Sequence, residues 1–186
     1  PLDMPRLFIC LLLFFANINP TFAQQNISNT DTSNEFTTFD IPNIAGEIKV
    51  DGVLDDLHWQ QAKQLELNYV TRPFENTQPP VTTQVKIFEN GDTLYVAFIA
   101  QDPKVENLSA YYRDRDGIWS DDLVGIKLDT FNDSRLADQF FVNPLGIQAD
   151  AIQHEMTGSE SESWAGMWHY AVKIVVAGYS AEMSLQ

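Results

Sequence analysis

Cysteine is almost absent from this chain. A single one, Cys10, stands among 186 residues, and one thiol can form neither an intramolecular disulfide nor a thiolate metal site. Positive charge is scarce as well. Eleven Lys and Arg face 26 Asp and Glu, for a net charge of -15, which repels phosphate backbones and anionic lipid and leaves no expectation of a nucleic-acid partner. Long apolar runs are missing too. The longest, LFICLLLFFA from Leu7 to Ala16, holds ten residues, about half of what a membrane-spanning helix needs, so this segment is not expected to insert in a bilayer. The three histidines, His58, His154 and His169, share no metal-ligand spacing.

What is present begins with a leader. Taking Met4 as the start, Arg6 supplies the charge, Leu7 to Ala16 the apolar stretch, and Thr21-Phe22-Ala23 a small-x-small cleavage site, so residues 1–23 read as a secretory signal peptide. Export would place the mature protein in the periplasm, at the outer membrane or outside the cell. Residues 24–38, QQNISNTDTSNEFTT, carry almost no large apolar side chain and read as a disordered polar linker. The folded domain is expected over residues 39–186, and a chain of this length needs no second domain.

Within that domain the apolar period is mostly two. VTTQVKIFENGDTLYVAFIAQD (Val81 to Asp102) holds two strand-like runs either side of Asn90-Gly91, a strong hairpin signal. In the second run Leu94, Val96 and Phe98 share one face and Tyr95, Ala97 and Ile99 the other, the pattern of a strand covered on both sides. Val124, Ile126 and Leu128 alternate in LVGIKLD, DQFFVN (Asp138 to Asn143) follows the polar turn NDSR, and Trp168, Tyr170, Val172 and Ile174 alternate in WHYAVKIVV, after which Gly178 turns the chain into YSAEMSLQ. One short helix is expected in DGVLDDLHWQQAKQL, with Asp55 as its cap and Trp59 and Ala62 on its buried side. Regularly spaced strands with turn residues between them predict an all-β, antiparallel β-sandwich. Leu185-Gln186 ends in an alternating run without a turn signal, so the sandwich is expected to lack its last strands.

Searches for catalytic patterns fail. His154-Glu155 opens a zinc-protease pattern, but Gly158 stands where the second histidine belongs. Aligning the glycine of DRDG (Asp114 to Gly117) with a calcium loop puts Tyr112 and Leu123 at its end ligands, which excludes an EF-hand. GSESES (Gly158 to Ser163) has no strand-to-helix elbow to expose a serine and reads as a solvated loop. Paired carboxylates of the kind used in glycoside hydrolysis arise by chance in a chain this acidic. No enzyme is expected.

The aromatic content remains. In DGIWSDDLVGIKLD, Trp119 stands among Asp116, Asp121 and Asp122, just outside the strand-like run. A flat indole face suits the apolar C–H groups of a pyranose, while neighbouring carboxylates accept hydroxyl protons. The same tryptophan suits a plug at the end of a sandwich, and the residues alone leave both readings open.

Four blocks together, DGVLDDLHW (Asp51 to Trp59), TLYVAFIAQDP (Thr93 to Pro103), IWSDDLVGIKLDTFND (Ile118 to Asp133) and DQFFVNPLGIQADA (Asp138 to Ala151), resemble the family 9 carbohydrate-binding modules in order and spacing. LDTFND, VNPLG, ESWAGMW (Glu162 to Trp168) and GYSAEMSLQ resemble more closely a branch of exported bacterial proteins in which such a domain precedes a C-terminal region read as an outer-membrane barrel. The resemblance implies a non-catalytic, jelly-roll-like β-sandwich that clamps a terminal sugar between two tryptophans. By that resemblance Trp119 is the first of the two, Asp122 a family acid of the same loop and Asn143 a family asparagine. It also implies a poly- or oligosaccharide partner and no required cofactor; family modules often carry a structural calcium, for which no ligand set here is spaced well enough to name. Two departures stand out: Gly125 where binding members carry a glutamate and Phe141 where they carry an arginine. They open a second reading, an accessory sandwich that has lost its sugar site. Trp164 reads as core rather than as a substitute clamp. The DG-x-x-D-x-x-W block reads as structural, with Asp51 and Gly52 in a turn and Trp59 as an anchor.

Overall fold

The computed structural model describes residues 38–70 and 77–186; the leader and nearly all of the polar linker expected from the sequence lie outside the described residues. The period-two segments form strands β1 (Lys63–Glu66), β2 (Thr82–Glu89), β3 (Leu94–Gln101), β4 (Val124–Leu128), β5 (Leu136–Val142), β6 (Gln148–His154), β7 (Glu160–Ser161), β8 (Trp168–Val175) and β9 (Gly178–Leu185). They pair into a five-stranded sheet, β1-β2-β3-β9-β8, and a four-stranded sheet, β4-β5-β6-β7. Every pairing is antiparallel. The expected β-sandwich is the observed fold.

Alternation decides which side chains meet between the sheets. Val96 and Phe98 of β3, Val124 of β4, Phe140 and Val142 of β5, and Met183 of β9 fill the main core. The opposite face of β3 is buried as well, since Tyr95 and Ala97 join Ile44, Trp59, Ala62 and Phe88 in a second cluster outside the five-stranded sheet. Its cover is the N-terminal stretch. Ile44 N donates to Glu89 O (2.8 Å) at one end, and Ser180 Oγ on β9 donates to Gly52 O (2.6 Å) at the other. All eight residues of β9 are buried for that reason.

The β2–β3 hairpin turns at Asn90-Gly91 as expected, with Glu89 opposite Leu94. Gly91 takes φ +102°, a conformation that costs glycine little. Gly178, at φ +135°, enters β9 so close to β3 that a Cβ there would lie 1.8 Å from Ala100 O.

Two local expectations are corrected. The helix is only four residues, His58–Gln61, and its N-cap is Leu57 with no side-chain cap bond, so Asp55 does not cap it. Trp59 is instead fixed by packing, edge-on to Phe88 at 5.0 Å. The GSESES stretch is not all loop: Glu160 and Ser161 pair with Gln153 and Ile152 as the edge strand β7. Among the described residues no helix is long and apolar enough to cross a membrane.

Candidate functional site

The segment from Ser109 to Asn143 carries the candidate residues, and its carboxylates explain its shape. Asp116 occupies the left-handed region, φ 65°. Its Oδ1 accepts from Asp150 N (3.0 Å), which ties the start of the loop to β6. Asp121 is buried, and its carboxylate accepts from Tyr111 N (3.1 Å), Arg113 Nε (3.2 Å) and Asn143 Nδ2 (3.0 Å). Asp122 accepts from Ser109 N at 2.7 Å, while its own N–H donates to Ser109 O at 2.6 Å. A buried carboxylate is tolerable only when its lone pairs find donors, and Asp121 finds three. These acids therefore hold two loop segments together.

Trp119 is the residue they frame. Its ring is half-buried and meets Phe141 edge-on, with centroids 5.6 Å apart and planes at 72°. It lies against a small apolar cluster of Ile118, Leu123, Phe141 and Ala149 on the outer side of the four-stranded sheet. Its Nε1 is buried without a hydrogen-bond partner, which leaves the indole fixed by packing alone and costs about 1–3 kcal/mol of unrecovered desolvation. The two sequence readings each describe part of this side chain: it packs on the apolar cluster and keeps a fraction of its surface accessible.

The other two predicted residues sit differently. Asn143 is completely buried. Its Nδ2 donates to Asp121 and to Tyr111 O, and its Oδ1 accepts from Leu145 N and Ile147 N, so its amide is spent inside the protein. Asp122 is half-buried at the root of the loop. Asp121, read from sequence as a hydroxyl acceptor, is turned inward, because Tyr111 N, Arg113 and Asn143 converge on it.

Gly125 and Phe141 prove to be one feature. They face each other directly across β4 and β5. A Cβ on Gly125 would lie 2.2 Å from Phe141 Cδ1 and 2.3 Å from Phe140 O. The Phe141 ring covers the glycine and packs against Trp119. Trp164 packs edge-on against Phe140 (5.7 Å) at the margin of the main core, in line with its reading as core.

Two further carboxylates gather donors. Asp150 receives Arg115 Nη2 on both oxygens at 2.6 Å, together with Gly166 N and Trp168 Nε1; this pairing, led by its hydrogen bond, raises the Arg115 pKa further. Glu182 on β9 receives Trp59 Nε1 (2.8 Å) on one oxygen and the amides of Asp51 (2.8 Å) and Gly52 (2.7 Å) on the other. Burial pushes its pKa above the ordinary glutamate value despite those donors. That is what the DG-x-x-D-x-x-W block is for: its turn and its tryptophan converge on a buried acid about 130 residues away. Among the described residues no three His, Cys, Asp or Glu side chains gather as a metal site.

Sequence reasoning missed the run YYRDR. Tyr111 and Tyr112 are 55% and 81% exposed, and the Arg113 guanidinium lies over the Tyr111 ring, 5.2 Å from its centroid. Paired exposed tyrosines beside an arginine were the available signal.

The family model described as carbohydrate family 9 binding domain-like matches residues 50–186. Among solved structures, the chain is similar to a carbohydrate binding module family 9 from Caldicellulosiruptor kristjanssonii in complex with cellotriose, with 17% identity, a TM-score of 0.52, and coverage of 78% of this chain and 66% of that one. It is also similar to a candidate carbohydrate-binding protein from Bacteroides uniformis, with 13% identity, a TM-score of 0.57, and coverage of 78% and 70%. At such identities the likeness concerns the fold, and the chain spans about two thirds of the first structure's length. No curated protein matches it.

Proposed function

Starting from the fact that this chain belongs to the carbohydrate family 9 binding domain-like family, we propose that it is a non-catalytic module that binds a poly- or oligosaccharide by stacking a sugar ring on Trp119. The observation that carries this reading is the division of labour in the loop. Asp116, Asp121, Asp122 and Asn143 are all engaged in holding backbone or side chains, while Trp119 keeps part of its surface in solvent and packs edge-on with Phe141. With the acids and the amide of the loop spent on internal bonds, the half-buried indole is the group that a flat apolar sugar face would cover. The cellotriose of the Caldicellulosiruptor structure makes β-linked glucose oligomers the first ligands to try.

The second reading, an accessory sandwich without a sugar site, is favoured by Phe141 over Gly125, because that ring removes space in which polar side chains could meet hydroxyls. An array of neutral and acidic oligosaccharides, cellotriose included, probed with this protein separates the two. Saturable binding to at least one glycan supports the module; none at millimolar ligand leaves the accessory domain.

The leader belongs to the same proposal. An exported module for glycan capture or catabolism, in the periplasm or at the outer membrane and joined there to further sequence of an outer-membrane protein, accords with residues 1–23 of the sequence. N-terminal sequencing of the mature protein should begin at Gln24, and an intact Met4 would contradict export by this signal.

A further inference from the structure

We infer that Arg113 is the polar arm of the Trp119 site, donating N–H groups to vicinal hydroxyls of a neutral sugar stacked on that indole, with Tyr111 backing the guanidinium. The inference rests on the reading above and assigns the hydrogen bonds that Gly125 and Phe141 do not provide.

The path of the arginine carries it. Its stem lies against Gly117, where an added Cβ would come 3.6 Å from Arg113 Cβ and 3.9 Å from Cδ. Its head reaches Ser120 and Asp121, with Nη2 3.5 Å from Ser120 Oγ and Nε 3.2 Å from Asp121 Oδ1. Arg113 thus touches Gly117, Ser120 and Asp121, residues on both sides of Trp119 in the same loop, and its guanidinium ends at the residue that follows Trp119 in sequence. Asp121 is wholly buried while the Arg113 side chain stays 39% exposed, so the ion pair is anchored on the inside and open on the outside.

The donor count then matters. A guanidinium has five N–H groups in a rigid fork. Asp121 takes one and Ser120 another, and among the described residues nothing else accepts from the remaining three. A planar fork of free donors in the same loop as the indole suits adjacent hydroxyls of a pyranose. A carboxylate would fit the same fork, but Asp121 already neutralises this cation and Asp114, Asp116 and Asp122 lie near it in sequence, in a chain of net charge -15. The surrounding field disfavours an anion, which makes the ligand a neutral glycan. Tyr111 is itself fixed, through its N–H to Asp121 and its carbonyl to Asn143, and supports the guanidinium by cation–π contact.

The test is a titration of the wild type, Arg113→Lys and Trp119→Ala with cellotriose and its monodeoxy analogues, alongside triGalacturonate as the acidic probe and melting curves for each protein. Lysine keeps a cation for Asp121 but loses the fork. The expected result is an affinity loss of about ten- to hundredfold for Arg113→Lys at a nearly unchanged melting temperature, with at least one deoxy position costing the wild type affinity and costing Arg113→Lys nothing more. Undiminished binding by Arg113→Lys, deoxy penalties equal in both proteins, or preference for the acidic trisaccharide would overturn the assignment while Trp119 stacking stands. A wild type that binds none of the probes would overturn both.

Discussion

Glu182 and Asp121 are the same device used to opposite ends. Each is a buried carboxylate that collects three N–H donors, Glu182 from a segment far away in sequence and Asp121 from neighbouring loops. Around Glu182 the one side-chain donor leads inward: Trp59 is completely buried, the two backbone donors come from half-buried Asp51 and buried Gly52, and the N-terminal stretch lies across β9. Around Asp121 two of the partners lead outward, to half-exposed Arg113 and exposed Tyr111. A buried acid by itself therefore says nothing about function. What separates a clamp from a site is whether its donors keep an open side.

The largest effect should come from breaking the closed clamp. Trp59→Ala empties a fully buried indole volume and orphans one oxygen of Glu182, so it should lower stability by about 3–5 kcal/mol. Chemical denaturation would measure it. Glycan affinity of the fraction that remains folded should not change, and a selective loss of binding would show that the two regions are not independent.

Next comes the aromatic floor of the site. Gly125→Ala puts a methyl group against Phe141 and the Phe140 carbonyl, and such overpacking should cost about 1–3 kcal/mol. It should also weaken binding, because the displaced ring supports Trp119. Unaltered stability and binding would mean that Phe141 has room to move and that the glycine is incidental.

A smaller, pH-dependent effect belongs to Glu182. Its pKa is raised in the folded state by burial. A group of that kind favours folding most below its ordinary value of 4.5, and the contribution fades as pH rises through the folded value. The stability of the wild type relative to Glu182→Gln should accordingly shrink as pH is raised from 4.5, as thermal melts across that range would show. A difference that grows with pH would mean that the three N–H donors outweigh burial.

Much of this architecture was legible in the residues, and the reasons are local. Leu94 to Ile99 alternate in a strand covered on both faces, and Asn90-Gly91 marks the hairpin that delivers it. Val124, Ile126 and Leu128 face the main core as their spacing requires. What was not legible depends on partners far along the chain. Asp55 had the composition of a helix cap, but the helix is one turn long and is held by Trp59 packing and Glu182. Glu182 sits among Ser180 and Ser184 on the face of β9 that would be solvated were the N-terminal stretch not lying over it. The place of Arg113 was equally hidden, because it depends on Asn143 and Tyr111 N turning Asp121 inward.

The central claim is that the indole of Trp119 is presented for a ligand while that of Trp59 is not. Titrating wild type, Trp119→Ala and Trp59→Ala with the best array glycan, with a melting curve for each, tests it most directly. Trp119→Ala should abolish measurable binding at a stability cost of about 1–3 kcal/mol, as befits a half-packed ring, and clearly less than that of Trp59→Ala. Wild-type affinity in Trp119→Ala, or a loss of stability as large as that of Trp59→Ala, would contradict it.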